Sequence, residues 1–261
     1  METMRILLPP SETKTTPAQG EPLQLSLLIA PSLTPQRRLL LETVVSLCTS
    51  EPEEALTTLG LTANQTDEVI RNQGLWSAPT APAWQVYTGV LYSQLDTATL
   101  TVVQRARLEE CVWIASALFG FVRLTDPIPA YRLSGDAVLP GIGGLAGYWR
   151  EHLTPLLEAE MGPIIDLRSG IYAKLGPLPC SVAERAVVPR VLQKMPSGPP
   201  KLITHFNKAT KGRIVRAVAQ YRGKLKDVRD FAELVAKQGA DVILLPPTRS
   251  GQPNQLDIVV E

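Results

Sequence analysis

Arg5-Ile6-Leu7-Leu8-Pro9-Pro10-Ser11-Glu12-Thr13-Lys14 opens the chain as a short apolar run closed by two prolines and a polar loop. Proline has no backbone N–H to continue a strand ladder, so Arg5 to Leu8 reads as a buried first strand and Ser11 to Thr16 as the loop after it. Working outward, similar strand signals return at Gln85–Tyr92, at Val112–Val122 as strand or strand plus turn, and at Ile164–Leu167, which opens onto Arg168-Ser169-Gly170. Ala186–Gln193 and Lys201–His205 read as paired strands joined by Pro196-Ser197-Gly198-Pro199-Pro200, and Asp241–Leu245 and Asp257–Val260 as the last two.

Helical spacing falls between these runs. Thr34 as N-cap with Pro35 at the first helical position starts a helix to about Cys48. Shorter helices are expected at 52–59 and 63–72, and further ones at Thr99–Glu110, Leu145–Met161, Lys208–Gln220 and Val228–Lys237. Interleaved strands and helices predict an α/β (or α+β) fold, a mixed β-sheet flanked by helices. A chain of 261 residues can bury its core as a single compact domain spanning 1–261.

Composition removes several classes. Hydrophobic residues make up 44% and charged residues 20%, as in ordinary globular chains. The first residues lack a basic segment followed by an apolar one, and the longest apolar-leaning run, Val112–Val122, is too short to cross a bilayer, so a cytoplasmic location is expected. Cys48, Cys111 and Cys180 lie far apart with no CxxC pair, and all three read as buried structural thiols. His152 and His205 have no second ligand at metal-site spacing, so neither a metal site nor a cofactor is expected. Patterns for dinucleotides, P-loops, zinc peptidases or serine nucleophiles are absent, and no catalytic residue is assigned.

The net charge of +1 conceals an uneven distribution. From 185 to 226 there are eleven basic residues and no acid, while the remaining 15 basic and 25 acidic residues leave −10. Such asymmetry points to an anionic partner. Asn207 reads as an N-cap that places Lys208 and Lys211 in the first helical turn, where cations oppose the helix dipole unless an anion docks there. Arg213, Arg216 and Gln220 then form a polar stripe opposite Ile214, Ala217 and Val218.

Five segments together resemble the YaaA-like peroxide stress family. They are Arg5–Lys14, Tyr87-Thr88-Gly89-Val90-Leu91-Tyr92, Ser116–Arg123 through Asp126, Pro129, Tyr131, Arg132 and Leu133, Asp166–Tyr172, and His205–Arg213. The resemblance implies a cytoplasmic bacterial protein of peroxide defence with a fold peculiar to its family. It also implies limiting damage from unincorporated iron, and DNA binding through a basic cleft and a helix-hairpin-helix. Pro140-Gly141-Ile142-Gly143 with Ala146, and Leu59-Gly60-Leu61, are the two stretches that could form such a hairpin.

The residues expected to meet DNA phosphates are Lys208, Lys211, Arg213 and Arg216, with Lys14, Arg123 and Arg132 as further cleft cations, in contacts largely independent of sequence. Ion pairs with Asp126, Asp136 or Asp166 are the competing use of the arginines. A rival reading is an enzyme for a small phosphorylated or carboxylated metabolite, its pocket drawn from Arg123, Tyr131, Arg132, Asp166, Arg168 and His205. An iron-handling protein is a third, for which scattered carboxylates would leave no spacing signature.

Overall fold

The computed structural model describes residues 3–202 and 205–260, with the side chains of His205 and Phe206 outside that description. Strand β1 (Arg5–Leu8) is followed by α1 (Thr34–Ser50), α2 (Pro52–Thr58) and α3 (Thr66–Gln73). A two-residue strand, β2 (Ala81–Pro82), leads to α4 (Ala83–Val86), α5 (Val90–Leu95) and α6 (Val102–Cys111). The hairpin β3 (Val112–Ser116) and β4 (Gly120–Arg123) comes next, then the short strands β5 (Pro127–Ile128), β6 (Val138–Leu139) and β7 (Gly143–Gly144). After α7 (Leu145–Glu158) come β8 (Ile164–Asp166), α8 (Gly170–Leu175), β9 (Ala186–Gln193) and β10 (Lys201–Leu202). The chain continues through α9 (His205–Gln220), α10 (Val228–Ala236), β11 (Asp241–Leu245) and β12 (Asn254–Val260).

The main sheet is mixed, in the order β11-β12-β9-β8-β1-β3-β4 with β10 paired to β9. β3, β1, β8, β9 and β12 run parallel, while β4, β10 and β11 are antiparallel to their neighbours. Every residue of β3 and β8 is buried, as expected where helices cover both faces of parallel strands. From β1 the chain moves to β3 on one side and returns to β8 on the other, so the order reverses at the β1/β8 boundary. At that boundary the loops leaving the two strands diverge and open a crevice.

The helix expected from Thr34 extends to Ser50, with Thr34 its first residue and Leu33, not Thr34, at the N-cap. Its Arg37 is fully buried and donates to the carbonyls of Phe119, Phe121, Ile29 and Ala30, tying α1 to the β3–β4 hairpin. The strand expected at Gln85–Tyr92 is instead two short helices, α4 and α5, divided at Gly89, whose φ of 94° few other residues tolerate. Its aromatic residues and Val86 reflect burial, with Tyr87 and Tyr92 in the core and their ring centroids 5.5 Å apart.

Neither stretch considered for a helix-hairpin-helix has the expected arrangement: in one the glycine amide is already bonded, and in the other a flanking helix is missing. Gly60 N–H donates to Thr57 O and Leu61 N–H to Leu56 O, so this turn closes α2 in the manner of an ordinary C-cap. Gly141 lies in the turn between β6 and β7, which pair Val138 with Gly144 and Leu139 with Gly143, so a strand stands where the first helix would be. Cys48 and Cys111 are buried as expected and burial raises both thiol pKa values, Cys111 to about 12; Cys180, expected to be buried, is exposed. No helix among the described residues is long and apolar enough to cross a membrane.

Candidate functional site

The loops after β1 and β8 form two sides of a cleft of about 680 Å³, completed by the start of α5 and by Asn207, Lys208 and Lys211 of α9. The β1 loop is held against the α4–α5 turn. Thr15 N–H donates to Val86 O, Thr88 N–H to Thr13 O, and the Thr88 hydroxyl to Thr13 Oγ1 at 3.2 Å. A Cβ on Gly89 would meet only the side-chain hydroxyls of Ser11 and Thr13, which can turn aside, so it is the positive φ that calls for glycine here.

Glu12 joins this loop to two others. Its Oε1 accepts from the Tyr172 hydroxyl at 2.9 Å and its Oε2 from Arg132 Nη1 at 3.1 Å. Behind it, Lys14 Nζ lies 4.3 Å from the Tyr131 ring centroid and 5.7 Å from that of Tyr87. Burial pushes the Lys14 ammonium down to about 8, with Glu12 opposing the shift and Arg132 adding to it. Tyr131 shares its hydroxyl with Ser116 Oγ at 2.7 Å and Tyr87 Oη at 3.0 Å, and burial raises both phenols.

At the end of β8, Arg168 and Asp166 form a two-point ion pair, Nε to Oδ1 at 2.9 Å and Nη2 to Oδ2 at 2.7 Å. Arg168 Nη1 also donates to Gly176 O, so this guanidinium fixes the β8–α8 turn. Lys211 turns inward as well. Its Nζ donates to Leu167 O at 2.9 Å, and burial lowers its pKa against the opposing charge of Asp166.

The structure divides the expected phosphate contacts. α9 begins at His205, so Asn207 is a helical residue rather than the cap, and Lys208 and Lys211 are the fourth and seventh residues of the helix. Of the two lysines only Lys208 is exposed to the cleft. Arg216 donates to the carbonyls of Leu95 and Asp96 at the end of α5 and to Thr99 Oγ1, each at 2.9 Å, and so serves packing.

Arg213 is exposed but lines a different cavity of about 420 Å³ beside Gln238 and Gly239. Arg123 pairs with Asp126 at 2.9 Å, sits opposite Trp113 on the edge strand β4, and lines no part of the cleft. Arg132 touches the cleft only through Glu12 and lines a separate cavity of about 480 Å³ beside Leu59 and Gly60. The side chain of His205 lies outside the described residues.

Several cleft residues went unassigned in the sequence: Glu12, Thr13, Val90, Tyr92, Asn207 as a lining group, Ile171 and Tyr172. The signals for them were the proline pair that ends β1 and the glycines at 89 and 170, which mark where backbone turns away from strand ends.

Residues 4–237 match the family model described as peroxide stress protein YaaA. The chain belongs to this family. It is 38% identical over 259 residues to a UPF0246 protein of Streptomyces coelicolor, covering 98% of each chain. A UPF0246 protein of Corynebacterium efficiens is 39% identical over 98% of this chain and 100% of its own length. A protein of Campylobacter jejuni is 31% identical over 66% of this chain and 70% of its own. The YaaA match includes every residue of the cleft and ends before β11 and β12.

Proposed function

We propose that this chain is a cytoplasmic protein of peroxide defence that binds DNA through its phosphates and by that contact limits iron-dependent oxidative damage. The family membership supports the association with peroxide stress. The DNA reading is carried by one observation. Lys194, Lys201, Lys208, Arg213, Arg222 and Lys226 are exposed, and none has a carboxylate partner within 4.0 Å among the described residues. Unpaired cations concentrated in one acid-free segment attract a polyanion and release its counterions on contact.

The test is duplex affinity measured by fluorescence anisotropy across a salt series, for the parent chain and for K208Q/R213Q. The substitutions should weaken binding to unrelated duplexes alike and flatten the log–log salt slope by about two. Unchanged affinity and slope would remove the phosphate assignment.

A further inference from the structure

We infer that the cleft between the β1 and β8 loops binds a single nucleoside phosphate, either free or as one unstacked nucleotide of a strand. The inference rests on the nucleic-acid reading for its phosphate contact. Everything else in it comes from the walls of the cleft.

Two of those walls are apolar and uncovered. Val90 at the start of α5 is 51% exposed and Ile171 in α8 is 40% exposed, and both line the cleft. Tyr92 and Tyr172 lie lower and nearly buried, with their hydroxyls already engaged by Pro9 O and Glu12 Oε1. These four side chains therefore offer a ligand hydrocarbon and ring surface and no free hydroxyl.

The polar groups are few. Asn207 Oδ1 is buried and has no hydrogen-bond partner, an acceptor whose desolvation is uncompensated until a donor reaches it. The Glu12 carboxylate keeps exposure beyond its two partners and can accept again. Thr13 lines the same space, and the Lys208 ammonium stands exposed beside Asn207.

Each feature narrows the ligand. Inorganic phosphate or a sugar phosphate would satisfy Lys208 and leave Val90 and Ile171 facing water. A hydrocarbon chain would cover those two and leave Asn207 Oδ1 orphaned. A nucleobase has two apolar faces and an edge of N–H donors, and carries its phosphate one sugar away. It therefore matches apolar walls, one buried and one exposed acceptor, and one cation together. The volume of about 680 Å³ lies within the range of sites for ligands of this size.

Titration calorimetry with the four deoxynucleoside 5′-monophosphates, with ribose 5-phosphate and inorganic phosphate as controls, tests the class. At least one nucleotide should bind about tenfold or more tightly than either control, since the base contributes to affinity. I171E, which places a carboxylate on an exposed wall, and N207L should each weaken that binding by about tenfold.

A duplex carrying unpaired 2-aminopurine separates the two sources. A fluorescence change on binding that I171E abolishes identifies a nucleotide of a strand; nucleotide binding without that change identifies the free molecule. Either result supports the inference. If nucleotides bind no better than ribose 5-phosphate and 2-aminopurine stays silent while duplex affinity keeps its salt dependence, the cleft inference falls and the DNA reading stands. If duplex affinity is absent too, both fall.

Discussion

Arg37 is a fully buried cation and Lys14 a half-buried one, and their surroundings set different consequences. The Arg37 guanidinium has carbonyl oxygens around it, and burial pushes it down to about 10 with Asp126 opposing. Replacing it with methionine would fill much of the volume and strand those carbonyls without donors. We expect R37M to lose about 3–5 kcal/mol in a urea titration; a loss under about 1 kcal/mol would mean that the β3–β4 hairpin does not depend on it.

Lys14 has a folded-state pKa of about 8, below the ordinary lysine value of 10.5, so between these values the unfolded chain binds more protons than the folded one. Stability contributed by this group therefore rises as pH increases above 8. From about pH 9 the buried thiols of Cys48 and Cys111, and above pH 10 the buried tyrosines, all with raised pKa values, act in the opposite sense. The window is thus pH 8 to 9. Denaturation midpoints there should rise more steeply with pH in the parent chain than in K14M, and parallel curves would contradict the buried-ammonium assignment.

At the scale of elements, the cleft depends on how closely α9 approaches α5. A Cβ on Gly212 would overlap Leu91 O and come within 2.8 Å of Gln94 Cβ, so only glycine allows this contact. G212A should force the helices apart, cost about 1–3 kcal/mol in stability, and weaken nucleotide binding at the cleft, because Asn207, Lys208 and Lys211 ride on the same helix. Loss of stability with unaltered nucleotide affinity would show that α9 does not set the cleft.

The elements also show what was legible in the chain. β1, β3, β8 and β9 announced themselves as apolar runs bounded by proline, glycine or charge, and their interleaving with helices gave the fold class. Gln85–Tyr92 misled because β-branched and aromatic residues mark burial as readily as they mark strands, and the positive φ at Gly89 is invisible without the backbone. The cleft was half legible. Strand ends indicated where loops gather, but which cations face them depends on the rotation of α9: Lys211 turns to Leu167 O while Lys208 stays out. Local sequence cannot report that a lysine will be spent on a carbonyl 44 residues away.

For the whole molecule, the issue is how much of the charge asymmetry survives folding. The segment 185–226 carries eleven cations. Arg190 is taken by Asp257 at 2.7 Å, Arg216 by α5 and Asp96, Arg185 by the carbonyls of Ser181 and Glu160, and Lys211 by Leu167. Those four contacts serve the fold and are unavailable to a polyanion. Six of the rest, Lys194, Lys201, Lys208, Arg213, Arg222 and Lys226, are exposed and lack an ion-pair partner among the described residues. If each met one phosphate, log affinity against log salt would fall with a slope of about −5, whereas engagement of all eleven would give about −10. Sequence charge alone predicts the steeper line and the folded distribution the shallower one. A duplex titration over a tenfold salt range separates them, and a slope near −10 would require the four internal contacts to open on binding, which hydrogen exchange at α5 and β12 would then reveal.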